Sequence, residues 1–202
     1  ATVRYGDALW ASAEHYVHGQ QHAKALVQLD KFIETNPTRF LPTALVLRGR
    51  TLMSLGRFQE AIRSFESVLA DHATDVSAVQ AEYLIGLSHL ELNEPAVAEK
   101  KWREILQNSK LKPDALEWQA SLLGVARIRF RDAEAGHDAL DRARRTEQLK
   151  LQGEKLKEAD RKYESAIGDF DQYRSRYPAS QDNPWVMYDL AVAYQHSADL
   201  FD

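Results

Sequence analysis

Leu55-Gly56-Arg57-Phe58-Gln59-Glu60-Ala61-Ile62-Arg63-Ser64-Phe65 is the stretch that decides the fold. Gly56 can take the left-handed conformation that ends a helix, so a second helix can start within a few residues and run back along the first. Phe58, Ala61, Ile62 and Phe65 recur at three- and four-residue spacing, which places them on one face of that second helix. Ala61 is small where the two helices should touch. The stretch reads as the turn and second half of a helical hairpin.

The pattern recurs on both sides. Upstream, Leu9, Trp10, Ala13, Tyr16 and Val17 give the apolar side of one helix, and Gly19 is expected to break it. Ala25, Leu26, Leu29, Phe32 and Ile33 give the next, with Pro37 just past its end. Downstream, Tyr83, Ile85, Gly86, Leu90, Ala98, Trp102, Ile105 and Leu106 repeat the order. Pro95 opens the second helix there, where its missing N–H costs nothing. Ala25, Ala61 and Ala98 lie 36 and 37 residues apart.

These residues resemble the tetratricopeptide repeat, whose period is about 34 residues. The resemblance implies an all-α fold, a right-handed α-solenoid of helix-turn-helix hairpins. Its repeats would occupy residues 6–39, 42–75, 77–110 and 114–178, followed by a final helix over 183–201. Gly49 and Gly124 match the family's small-residue position for close helix approach. There are departures: Ala73 stands where the family closes with proline, and Arg48 replaces the usual leucine. The run Tyr177-Pro178-Ala179-Ser180, followed by Tyr188, Leu190, Ala191 and Tyr194, is similar to repeats of bacterial envelope proteins of this family. That similarity points weakly to a periplasmic or envelope setting.

The fourth unit departs from the pattern. Leu116, Ala120, Leu123, Gly124, Ile128 and Phe130 fit a first helix, but the matching second half appears only at Ala166, Ile167, Phe170, Tyr173 and Pro178. A helical insertion is therefore expected over residues 131–161, rich in good helix formers and free of proline. The turn back is expected at Glu134-Ala135-Gly136-His137, with one helix over 138–176; a break at Gly153, giving an extra hairpin, is the other reading. Leu149, Leu156, Tyr163 and Phe170 recur every seven residues, a seam that could join copies of the chain. Leu149 and Leu156 are the candidate oligomerisation residues. In the final helix the apolar face is expected to hold Trp185, Met187, Leu190, Ala191 and Tyr194.

Composition narrows the function classes. The 202 residues are 44% hydrophobic with a net charge of -4, which argues against general disorder and against a concentrated phosphate-binding surface. Arg142, Arg144, Arg145, Lys150, Lys155 and Lys157 are basic, but Glu147, Glu154 and Glu158 dilute them, so no nucleic-acid partner is expected. The chain has no cysteine, which excludes disulfides and thiolate chemistry. No apolar run of about 18 residues exists, so no helical membrane span is expected. The chain begins at Ala1 and stops at Asp202 after a helix-like stretch, which reads as a processed chain or a piece of something longer.

Enzyme chemistry finds no support. There is no phosphate-binding glycine loop, no His-Glu-x-x-His pair and no Gly-x-Ser-x-Gly elbow. His15, His18 and His22 have metal-ligand spacing, but Gly19 interrupts them and no carboxylate completes a set. No cofactor or metal is expected. What the resemblance does imply is a concave groove lined by the first helix of each hairpin. Its register places Trp10, Glu14, Val46, Arg50, Tyr83 and Leu87 on that side, an apolar and aromatic line suited to an extended peptide or a partner helix. Trp10, Val46 and Tyr83 stand where chaperone-binding members carry basic residues, so an acidic chaperone tail is not the expected ligand. The implied function is a non-catalytic protein-interaction scaffold. Two alternatives are self-assembly through the insertion and the open ends of the array, and a regulatory domain of a larger enzyme or membrane-associated machine.

Overall fold

A computed structural model describes residues 2–37, 40–108, 111–145 and 149–201, with the backbone alone at 2–4 and 149–151. Among the described residues there are nine helices and no strand. They fall into two compact units, residues 1–105 and 106–202.

The first unit is built from hairpins. Helices α1 (Thr2–His18) and α2 (His22–Glu34) form one, α3 (Leu41–Ser54) and α4 (Phe58–Asp71) the next, and α5 (Ser77–Glu91) and α6 (Pro95–Gln107) the third. Their turns share one chemistry. Gln20, Gly56 and Asn93 each adopt a left-handed conformation, with φ of 54°, 72° and 60°. The N–H groups of Gln21, Arg57 and Glu94 reach back to the carbonyls of Tyr16, Leu52 and His89 at 2.8–2.9 Å, which satisfies the orphan carbonyls at each helix end. Helix α1 ends at His18, just before Gly19 as expected, and the left-handed position falls on Gln20, one step later. Asp75 opens α5 by accepting the Ser77 N–H at 2.8 Å, and that bond holds its carboxyl below the usual range.

Two glycines set the hairpin spacing. A Cβ on Gly49 would lie 2.2 Å from the Phe65 ring, and one on Gly86 would lie 2.4 Å from Nε1 of Trp102. The core of α3, α4 and α5 contains Val46, Leu52, Ala61, Phe65, Val68, Ala81 and Ile85, with Leu26 of α2. Arg48, at the position where leucine was expected, is half-buried and donates through Nε to Asp30 of α2 at 2.6 Å. An ion pair thus links α2 to α3 where the family uses an apolar contact.

The second unit contains α7 (Leu116–Arg145), α8 (Leu149–Arg176) and α9 (Asn183–Asp199). Here the turn lies elsewhere than expected. Residues 134–137 are helical and inside α7, residues 138–145 belong to α7 rather than to a helix continuing to 176, and α8 begins at Leu149. Gly136 misled because glycine often marks a turn. It is buried instead, facing Ala159 of α8 at ordinary contact distance. Gly153 lies within α8 and breaks nothing. The seven-residue seam is intramolecular at three of its four positions. Tyr163 and Phe170 are fully buried in the unit's cores, and Leu156 is partly buried against the cluster that contains Ala133 and Leu140. The side chain of Leu149 lies outside the described residues.

Candidate functional site

The first helices of the three hairpins present equivalent positions. On α1, Trp10 is half-buried, stacked on Phe40 at 5.7 Å and tilted against Phe32 at 5.3 Å. Glu14, one turn on, is exposed. On α3, Arg50 is exposed, whereas Val46 is 3% exposed within the core. Val46 is therefore a correction. A β-branched side chain at that step fits between neighbouring helices and offers a partner almost no surface. On α5, Tyr83 stacks on Trp102 at 5.8 Å, and Trp102 Nε1 donates to the Tyr83 carbonyl at 3.1 Å. Tyr83 and Leu87 are both half-buried at the edge of the core. The line is thus mixed: two charged side chains, Glu14 and Arg50, in full contact with water beside the part-exposed Trp10, Tyr83 and Leu87.

One buried acid lies next to this line. Glu82 on α5 is half-buried, and loss of water pushes its carboxyl above the ordinary range; Glu104 on α6 adds to the rise and Lys101 opposes it.

The second unit carries a polar cluster that was not anticipated. Tyr163 of α8 is fully buried and donates its hydroxyl to Oε1 of Glu134 on α7. The same oxygen meets Nδ1 of His196 on α9 at 2.8 Å, and Nδ1 of His137 lies 3.3 Å from the Tyr163 hydroxyl. Burial, then the Glu134 carboxylate, push the Tyr163 phenol well above its ordinary value, so it remains a donor. The cluster joins three helices through one carboxylate. In the fold it acts as a tie between these helices. The signal in the sequence was slight: Glu134 and His137 are one turn apart, but Tyr163 and His196 lie 29 and 62 residues from Glu134.

The apolar residues of the final helix lie on two sides. Val186, Leu190 and Ala193 are buried, while Trp185, Met187, Tyr188 and Tyr194 are more than half exposed and Ala191 is exposed. Of the five residues expected on its apolar face, Leu190 is buried and the other four face water.

Among the described residues, no helix is long and apolar enough to cross a membrane. The family model for the tetratricopeptide repeat matches residues 46–115. No curated protein matches the sequence. The fold is similar to that of a Bacteroides ovatus protein described as protein-binding, at 12% identity and a TM-score of 0.64, covering 96% of this chain and 98% of that one. It is similar to a Podosopora anserina protein described as a kinesin light chain with nearly identical TPR-like repeats, at 15% identity and a TM-score of 0.63, covering 100% and 93%. A tetratricopeptide repeat protein from Parabacteroides merdae is similar at 16% identity and a TM-score of 0.55, covering 98% and 79%. The left-handed turns, the two tight glycines and the match over 46–115 agree: residues 46–115 carry tetratricopeptide repeats, and the fold of the chain is similar to that of tetratricopeptide-repeat solenoids, a fold that is generally non-catalytic and implies binding to other proteins.

Proposed function

We propose that the first unit takes an extended peptide or a partner helix across the first helices of its hairpins, with Trp10, Glu14, Arg50, Tyr83 and Leu87 as the contact line. The observation that supports this is the exposure of Glu14 and Arg50 at one register step, beside part-exposed aromatic and aliphatic side chains. Charges of opposite sign on neighbouring first helices give a partner its direction and register. The rings and Leu87 supply apolar area.

The test is a displayed peptide library selected on the immobilised chain, followed by affinity measurements of the winning peptides. Arg50→Glu and Glu14→Lys are exposed changes that leave the core alone. On this reading each weakens the selected peptides by about tenfold, and the double swap restores part of the affinity for peptides with reversed charges. Peptides that bind wild type and both variants equally would place the contact elsewhere.

A further inference from the structure

Gly49, Gly86 and Gly124 stand at one step of α3, α5 and α7, and the residues just before them are Arg48, Ile85 and Leu123. Ile85 and Leu123 are buried, 2% and 6% exposed, whereas Arg48 lines a surface cavity of about 440 Å³. A guanidinium cannot be sunk into a core as isoleucine can without a large loss of hydration. Helices α2, α3 and α4 all contribute to the wall. The volume is that of a small-molecule site, a range that starts at about 300 Å³.

The charged groups of the wall are unequally matched. Asp30 accepts from Nε of Arg48 at 2.6 Å, and Glu60 accepts two bonds from Arg57, each at 2.6 Å. Glu34 and Arg63 also line the cavity and form no ion pair among the described residues. The two Nη groups of Arg48 have no hydrogen-bond partner among the described residues. Ser64 and Ser67 donate their hydroxyls to the carbonyls of Leu45 and Arg63 at 3.0 Å, so their oxygens are left as acceptors. Ile33 and Leu45 supply the apolar part of the wall.

These groups are sorted along the cavity. Arg48 meets Asp30, and Leu45, about one turn back on α3, meets Ser64. Glu34 is about one turn past Asp30, and Ser67 is three residues past Ser64, so both lie toward the Leu45 end. A ligand held along the whole cavity must therefore carry an anion toward Arg48 and a cation toward Glu34.

We propose that this cavity binds a small zwitterion, an α-amino acid with an aliphatic side chain. Arg48 and Arg63 hold its carboxylate, Glu34 and the Ser67 oxygen hold its ammonium, and its side chain lies on Ile33 and Leu45. Arg48 and Arg50 are two residues apart, about 200° around α3, so this site is across the helix from the contact line and does not depend on it.

The probes are L-leucine, N-acetyl-L-leucine and L-leucinamide, titrated into the chain by calorimetry and followed by the amide resonances of Leu45 and Ser64. Leucine should saturate with a Kd between about 10 μM and about 1 mM, and those amides should shift with it. The two blocked forms each lack one charge and should bind at least about tenfold more weakly. Arg63→Gln and Glu34→Gln alter exposed side chains and should each weaken leucine by about tenfold. Arg48→Leu puts at this step the kind of side chain that α5 and α7 bury there, so the variant should fold and lose leucine binding. No saturation by leucine up to about 10 mM overturns the proposal. So does equal binding of either blocked form, or leucine binding that is unchanged in Arg63→Gln and Arg48→Leu. Acetate bound as tightly as leucine would show that the ammonium is not recognised, and it overturns the proposal too.

Discussion

In the hairpins α3/α4 and α5/α6 the tightest contact is between a glycine on the first helix and an aromatic ring on the second, with no room for one more methyl group. In α7/α8 they meet along a seam, where Ala133, Leu140, Ala159, Tyr163, Ala166 and Phe170 are all buried over several turns. The glycine there, Gly136, faces Ala159 at 3.5 Å, an ordinary contact. In a short hairpin one glycine–ring contact is a large share of the fit, so much depends on its shape. A long hairpin spreads the same task over many contacts, and no single one needs to be so tight. The two regions should respond differently to the same substitution.

Gly49→Ala makes the largest difference. Its Cβ would fall 2.2 Å from Cε1 of Phe65, itself fully buried, so the ring and the helix must both shift. The expected loss is about 3 kcal/mol, at the upper end for overpacking in a core. Gly86→Ala should behave alike, because Trp102 must stay close enough to donate to the Tyr83 carbonyl. Hydrogen exchange can test this by region: amides of α3, α4 and α5 lose protection while those of α7 and α8 keep theirs. Equal loss in both units would break the comparison.

Tyr163→Phe probes the long hairpin at its most connected residue. The ring stays buried, but Glu134 loses one of its two donors and His137 loses the hydroxyl beside it. The expected cost is about 1.5 kcal/mol, the range for a hydrogen bond to a charged group. It should be read in urea unfolding with an unchanged slope. A cost above that of Gly49→Ala would mean that the seam, too, depends on one point.

Gly153→Ala should have the opposite sign. A Cβ there meets nothing within 4 Å, and the backbone is already helical. Alanine then gains about 1 kcal/mol by helix propensity, seen as a thermal midpoint higher by about 3 °C. Gly136→Ala should lie close to wild type, because the propensity gain meets a contact that is full but not overfull. A destabilised Gly153→Ala would show that α8 bends there.

How far the sequence could be read follows from the same contrast. Point contacts are local in the chain: Gly49 and Phe65, or Gly86 and Trp102, are 16 residues apart, so their spacing repeats and the hairpins of the first unit can be found by eye. Along a seam many registers satisfy the heptad. Leu156, Tyr163 and Phe170 showed that α8 needed a partner, but not that the partner was α7 of the same chain. The turn was misplaced for a related reason. Gly136 is used for close approach, and a single sequence does not separate that use from a helix stop. Val46 failed on direction. It lies on an apolar stripe, and only the packed neighbours decide whether a stripe faces the core or the water.

The smallest expected effect lies in the first unit and has a definite pH dependence. Glu82 is half-buried on α5, and desolvation, with Glu104 nearby, raises its carboxyl above the 4.5 of an unperturbed glutamate. The folded protein therefore binds this proton more readily than the unfolded chain does. Stability falls as pH rises from the ordinary carboxylate range through the raised folded value, and the cost is fully present at neutral pH. Glu82→Gln removes the charge and keeps the shape. At pH 7 the variant should be more stable than wild type, by less than about 1 kcal/mol because water still reaches the group. Below pH 4.5 the two should converge, as the wild-type carboxyl takes up its proton in both states. Urea midpoints at pH 4 and pH 7 measure the difference directly. A variant less stable than wild type at pH 7 would mean that Lys101 outweighs desolvation, and that the charge at the edge of α5 holds the hairpin together.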